Sequence, residues 1–199
     1  MDHQQQHCAL PYRTKTESLM KAPQLLTLIG CVLIGILWTF IGQDLVIPIL
    51  FGGLLSAPGM PLDQYVSDAS SPSFRMLWLT CVVAILIWCV MTTRKSPMNS
   101  AEVRKMRPVW WIYVAILVGL GWIYQLFFTV FQWQLSGLAP VQGLQDNYFP
   151  IPPGGWIAIL LLVIFDVGLL FWLPTMLATP KSYRFVVPGA IKFKFIGGR

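Results

Sequence analysis

Four long apolar segments restrict what this chain can fold into. They occupy approximately residues 25–41, 75–92, 109–131 and 156–177. A helix needs roughly 20 apolar residues to cross a hydrocarbon core of about 30 Å, and the third and fourth segments reach that length. The first and second are slightly shorter, but flanking residues can extend them. The sequence therefore predicts an all-α integral membrane protein with four transmembrane helices.

The composition agrees with a membrane protein. Hydrophobic residues make up 56% of the chain and charged residues 11%, whereas an average soluble domain has about 25% charged residues. The net charge of +6 raises the question of a nucleic-acid partner. The basic residues flank the apolar segments, where they can meet the headgroups of a lipid bilayer, so they do not indicate nucleic acid. We expect no nucleic-acid partner.

The distribution of lysine and arginine predicts the orientation. Thirteen of the 14 lie in the N-terminal tail, in the loop after the second span and in the C-terminal tail; only Arg75 falls on the other side. The positive-inside tendency then places both termini in the cytoplasm. We predict a cytoplasmic tail over residues 1–24, one membrane domain over 25–178 and a cytoplasmic arm over 179–199. The sequence contains no N-x-[ST] sequon, which fits a bacterial inner membrane.

Two segments outside the predicted spans have patterns of their own. Leu45–Leu55 is apolar but is interrupted by Pro48, so it predicts a re-entrant piece, an interfacial outer loop or a continuation of a tilted first helix. After the fourth span, Tyr183–Val187 and Ile191–Ile196 alternate basic and apolar residues around a Pro-Gly pair. This alternation predicts two short strands across a turn, or a short, extended, basic C-terminal arm on the membrane surface.

Asp166 is the residue that most needs an explanation. It lies ten residues after Trp156, roughly 15 Å into the fourth span and close to the bilayer midplane. An intramembrane acid is by default functional and faces protein or water. No lysine, arginine or histidine lies in the interior of a predicted span, and the first span offers only Cys31 and Gly35 at that depth. Asp166 is therefore protonated, reached by water, or bonded to another polypeptide.

Other polar and small residues complete the candidate site. Tyr124 and Gln125 lie nearer the outer face of the third span and are candidates, with Asp166, for a partner contact or for proton binding. Small residues allow helix backbones to approach closely. The helix-packing candidates are Gly35, Gly42, Ala115, Gly119 and Gly121.

The C-terminal arm supplies the remaining candidates. Its basic residues are predicted to dock on lipid or on a cytoplasmic partner, and they are Lys181, Arg184, Lys192 and Lys194. We expect no cofactor and no metal, because the two histidines lie in the N-terminal tail and the cysteines form no C-x-x-C pair. The sequence also contains no catalytic motif, so we expect no enzyme.

These features favour a non-catalytic integral membrane subunit of a larger envelope complex, such as a secretion, conjugation or respiratory assembly. In this interpretation Asp166 and the small-residue faces pack against other membrane protein subunits. The alternative is a small transporter or channel subunit in which Asp166 binds a proton or a cation.

Overall fold

Helices form the frame of the molecule. The computed structural model describes residues 22–55, 67, 70–94, 100–135 and 153–190, and in these ranges it has no strand. Four helices are long and apolar enough to cross a membrane, which confirms the predicted multi-pass helical architecture. We call them the first to fourth spanning helices, and they are Leu25–Leu50, Ser71–Arg94, Ala101–Thr129 and Gly154–Ala178. The predicted N-terminal tail and most of the outer loop lie outside the described residues.

The first spanning helix is longer than the sequence predicted. Helix α1 (Ala22–Leu37) passes into a π-helical turn, Trp38–Gly42, and then into α2 (Gln43–Leu55) without leaving helical backbone angles. Leu45–Leu55 is therefore a continuation of the first helix, as one of the three interpretations expected, and not a re-entrant piece. Pro48 does not end the helix, because neighbouring groups can replace the single backbone bond that a proline removes in a transmembrane helix.

Two long helices follow. Helix α3 (Ser71–Arg94) forms the second spanning helix, and α4 (Ser100–Leu135) contains the third. The Ser71 hydroxyl at the start of α3 donates to the carboxylate of Asp44. A carboxylate at a helix N-terminus is favourable, because unpaired N–H groups and the helix dipole both attract negative charge there. This contact fixes the C-terminal half of the first helix to the start of the second.

The fourth spanning helix, like the first, contains a π-helical turn between two α-helical parts. Helix α5 (Pro153–Val167) passes into a π-helical turn, Gly168–Trp172, and then into α6 (Leu173–Ala178). A π turn carries one more residue than an α turn. Here the wide turn ends at Trp172, two residues before Pro174, which has no N–H to donate. The helix continues through Pro174 and ends at Ala178.

Burial differs strongly between the helices. In the most apolar 18-residue window, 44% of the fourth spanning helix and 39% of the second are buried, against 17% of the first. The second and fourth helices thus form the centre of the bundle, and the first lies against them along one narrow face. Large buried residues fill the centre, including Phe74, Leu77, Trp88, Trp110, Val163 and Phe171.

The segment after the fourth helix is compact and not extended. Lys181–Tyr183 forms a 3-10 turn, and further turns follow to residue 190. Tyr183, Val186 and Val187 are buried in the core. The strand prediction is wrong for Tyr183–Val187, because the bundle offers an apolar surface that the apolar side chains of this segment cover. The second predicted strand, Ile191–Ile196, lies outside the described residues.

Candidate functional site: a buried acid between the first and fourth helices

Asp166 is fully buried and is bonded within its own chain. The indole Nε1 of Trp38 donates to its Oδ1 at 2.8 Å, and the amide Nε2 of Gln43 donates to its Oδ2. Both donors come from the first spanning helix, and both are neutral. Of the three possibilities left open by the sequence, a bond to another polypeptide is not needed to satisfy this carboxylate. We call Asp166, Trp38, Thr39 and Gln43 the Asp166 cluster.

The π-helical turn places these donors. The backbone N–H of Gln43 bonds to the carbonyl of Trp38, five residues earlier. In a regular α-helix each step of four residues drifts around the axis by about 40°. The buried positions of this part of the first helix are Gly35, Thr39, Gln43 and Ile47, each four residues apart. The wide turn offsets the drift and keeps Thr39 and Gln43 directed into the bundle.

Gly42 makes room for the Trp38 indole. A Cβ atom at position 42 would lie 2.6 Å from Cε3 of Trp38, closer than real Cβ atoms approach other atoms. The Trp38 ring also packs edge-on against Phe165, with ring centroids 5.6 Å apart. The glycine and the phenylalanine together hold the indole N–H on Asp166. Gly42 thus contributes to the site and not to a contact between helices.

Two oxygen atoms in the cluster have no hydrogen-bond partner within the described residues. They are Oγ1 of Thr39 and Oε1 of Gln43, and both residues are buried. An unpaired buried polar atom is costly and calls for an explanation such as an ion, a water molecule or a functional role. Their position on the helix face that carries the donors to Asp166 makes this the most chemically distinctive part of the described chain.

The arrangement suits a group that can exist in two protonation states. An ionised carboxylate accepts hydrogen bonds from both Trp38 and Gln43. A protonated carboxyl group must donate one bond, and the amide of Gln43 can turn its oxygen toward it. Trp38 can keep donating in both states. The Gln43 amide can therefore satisfy either form of Asp166 without movement of the helices.

The other polar candidates lie on the third helix. The hydroxyl of Tyr124 is 3.1 Å from Oγ1 of Thr80, which itself donates to the carbonyl of Met76. Because a hydroxyl has a single proton, Tyr124 donates to Thr80. This bond joins the second and third helices. Gln125 is buried beside it along the chain. The bonds to Asp166 thus come from the first helix and not from Tyr124.

The small-residue candidates fall into two groups. A Cβ at Gly35 would lie 2.7 Å from Nε1 of Trp78, and one at Gly121 would lie 2.6 Å from Cγ1 of Val163, so both glycines sit at close helix contacts. Ala115 and Gly119 are exposed instead, and a Cβ at Gly119 would meet nothing within 4 Å. That pair has no packing partner in the described chain.

The basic candidates of the C-terminal segment are only partly described. Arg184 is half-buried, and Lys181 forms part of the 3-10 turn. Lys192 and Lys194 lie outside the described residues. The turn segment is held to the fourth helix, because Nε1 of Trp172 donates to the carbonyl of Pro188 at 2.8 Å. Gly189 follows with φ +86°, a left-handed conformation that favours glycine.

A second set of polar contacts joins the helices near Arg94 and Arg107, which we call the basic end. Nε1 of Trp110 donates to Oγ1 of Thr175 at 3.2 Å, and Nε1 of Trp88 donates to Oγ1 of Thr179 at 3.1 Å. Each threonine hydroxyl donates in turn to a backbone carbonyl one turn earlier. We call these the Trp–Thr pairs. They bind the fourth helix to the second and third.

The sequence-based search missed Trp38, Thr39 and Gln43. It ended the first span at residue 41 and so placed Cys31 and Gly35 at the membrane centre. The continuous helix Leu25–Leu50 has its midpoint near Trp38. A usable signal was present, since Thr39 and Gln43 lie four residues apart on the face that also carries Gly35 and Ile47.

Comparison with known proteins identifies neither a family nor a function for this chain. Models of protein families, curated proteins and solved structures were each compared with the chain, and none matches. The function must therefore be argued from the geometry.

Proposed function

We propose that this chain is a non-catalytic integral membrane subunit of a larger envelope assembly, of the secretion, conjugation or respiratory kind. In this proposal the Asp166 cluster has an internal role. It fixes the sparsely buried first helix against the fourth and so shapes the subunit. The contacts to other subunits are made elsewhere on the surface.

The uncovered pair Ala115 and Gly119 carries the proposal. The two residues lie one helical turn apart on the third helix, and large exposed residues such as Ile112, Ile116 and Ile123 surround them. Helix interfaces in membranes are enriched in small residues, because these let two backbones approach. A small-residue pair on an outer helix face is thus suited to receive a helix of another subunit.

Purification of tagged variants from the native membrane tests this proposal. We expect other membrane proteins to co-purify in fixed ratio with the unaltered chain after mild detergent extraction. Leucine at both Ala115 and Gly119 should abolish this, because the added side chains hold the partner backbone away. Gly30→Leu is the matched control, since a Cβ there also meets nothing within 4 Å. A chain that purifies alone, or one unaffected by both leucines, contradicts the proposal.

The second candidate is a transporter or channel subunit in which Asp166 binds a proton or a cation. The unpaired oxygens of Thr39 and Gln43 favour it, together with the ability of the Gln43 amide to face either protonation state. Wide π turns often occur at functional sites; one contains Trp38 and Thr39 in the first helix, and another begins two residues after Asp166 in the fourth.

Flux measurements separate the two candidates. Asp166→Asn keeps the shape of the side chain but cannot ionise, so it should abolish proton or cation flux in reconstituted vesicles if the second candidate is correct. Asp44→Asn serves as the control, because Asp44 lies on the first helix beside Gln43 but bonds to Ser71 of the second helix and not to Asp166. If the Asp166→Asn chain assembles and functions normally, transport by this residue is excluded.

A further inference from the structure

A groove opens between the third and fourth spanning helices near the basic end. Its volume is about 530 Å³, within the range of roughly 300–1,000 Å³ that ligand pockets occupy. The principal lining residues are Trp110, Trp111, Val114, Val118, Gly168 and Trp172. Trp111 and Trp172 are 47% and 41% exposed, so the groove faces the surroundings of the bundle and not its core.

Gly168, the first residue of the π turn in the fourth helix, lines the groove. A Cβ at Gly168 would meet nothing within 4 Å, so this position contributes empty space. Along the third helix the groove runs from Trp110 to Val118, about 12 Å at 1.5 Å per residue. This elongated, apolar shape suits part of a hydrocarbon chain.

A positive charge continues the line of the groove. Arg107 is exposed and lies four residues before Trp111 and seven before Val114, which places it on the same face of the third helix. Lys105 is also exposed, but it lies nine residues before Val114, about two and a half turns, and so points to the opposite side. An apolar groove with cationic side chains beyond its end matches an amphiphile with an anionic head.

We propose that this groove binds one anionic glycerophospholipid. One acyl chain lies along Val114, Val118 and Gly168, and the phosphate group pairs with Arg107. The half-exposed Trp111 and Trp172 lie at the end nearest Arg107, where indole rings favour the headgroup level of a bilayer. A guanidinium group is well suited to the phosphate, because it can form two parallel charge-assisted hydrogen bonds.

Native mass spectrometry of the full chain in mild detergent tests the proposal. Phosphatidylglycerol and phosphatidylcholine with identical acyl chains are the probes. We expect one phosphatidylglycerol per chain to be retained, with about tenfold weaker binding after Arg107→Gln, because a lost charge-assisted bond corresponds to about one decade of affinity. Lys105→Gln removes the same charge from the opposite face and should leave binding unchanged.

A second variant tests the groove itself. Gly168→Leu fills the space, so it should abolish binding of phosphatidylglycerol, while Gly30→Leu on the first helix should not. Thermal unfolding in detergent shows whether each variant is folded, and only folded variants are compared. Equal retention of the two lipids, equal effects of Arg107→Gln and Lys105→Gln, or unchanged binding by folded Gly168→Leu would each overturn the proposal. A protein found in the groove instead of a lipid would overturn it as well.

Discussion

The Asp166 cluster and the Trp–Thr pairs both hold the fourth helix to its neighbours, but they differ in charge and in completeness. Each Trp–Thr pair is neutral, and its hydroxyl both accepts from an indole and donates to a carbonyl. The Asp166 cluster contains an ionisable group, and two of its oxygens have no hydrogen-bond partner in the part of the chain that the structure describes. The Trp–Thr pairs also have no alternative arrangement of their bonds, whereas the Gln43 amide has two. We infer that the hydrogen bonds of the Trp–Thr pairs are fixed, whereas those of the Asp166 cluster can rearrange.

Removal of the acid should give the largest effect. Asp166→Leu leaves the N–H groups of Trp38 and Gln43 buried without an acceptor, and two interhelical bonds in a membrane contribute up to about 3 kcal/mol together. Thr175→Val deprives only Trp110 of its acceptor, so its loss should be about half as large. Denaturant titration in detergent micelles measures both. Equal stability of Asp166→Leu and the unaltered chain would show that the cluster does not hold the first helix.

Gly42→Ala should be the next largest change. The added Cβ overlaps the Trp38 ring and displaces the indole from Asp166. Overpacking of this kind costs about 1–3 kcal/mol. Gly30→Ala adds the same methyl group in open space and should be neutral. The comparison of unfolding free energies between these two variants isolates the steric effect, and an equal outcome would contradict the role given to Gly42.

Loss of single indole donors compares the two regions directly. Trp38→Phe removes a bond to a carboxylate, and charge-assisted bonds are roughly twice as strong as neutral ones. Trp110→Phe removes a bond to Thr175, whose hydroxyl still donates to Trp172. We expect a loss of about 1 kcal/mol for the first and about half of that for the second. A larger loss of stability for Trp110→Phe than for Trp38→Phe would show that the Trp–Thr pairs hold the helices more strongly than the Asp166 cluster does.

The smallest effect concerns Tyr183 in the turn segment at the basic end. Burial, and then the nearby Glu102 carboxylate, raise the pKa of this phenol above its ordinary value. The folded state therefore holds the proton more tightly than the unfolded state. The resulting stability is complete below the ordinary tyrosine pKa of about 10 and is lost as the pH rises through the raised value. Unfolding curves of Tyr183→Phe should lack this alkaline decrease.

Hydropathy and composition were sufficient to predict the four spans, but they could not predict the lengths of the helices. Pro48 and the polar pair Gln43–Asp44 indicated an end to the first span. In the fold, Gln43 is satisfied by Asp166 and Asp44 by Ser71, so both polar residues lie inside a continuous helix. Their partners are distant in sequence. A pattern read along one helix does not contain that information.

The turn segment shows a second limit of sequence patterns. Alternating basic and apolar residues around Pro188 are typical of a hairpin, but an isolated hairpin is only marginally stable. The apolar surface at the basic end was not visible in the sequence. Val186 and Val187 are buried in the bundle core, and this burial favours compact turns. The pairing of Trp172 with the Pro188 carbonyl was likewise beyond prediction, because it depends on where the helix ends.

The separation of Gln43 and Asp166 along the chain has a consequence for biogenesis. The two residues are 123 positions apart. At a synthesis rate of about 5–20 residues per second, Asp166 is made roughly 6–25 s after Gln43. During that interval the first helix is complete while Trp38 and Gln43 have no carboxylate to bond. The contact between the first and fourth helices can therefore form only after the fourth helix has entered the bilayer.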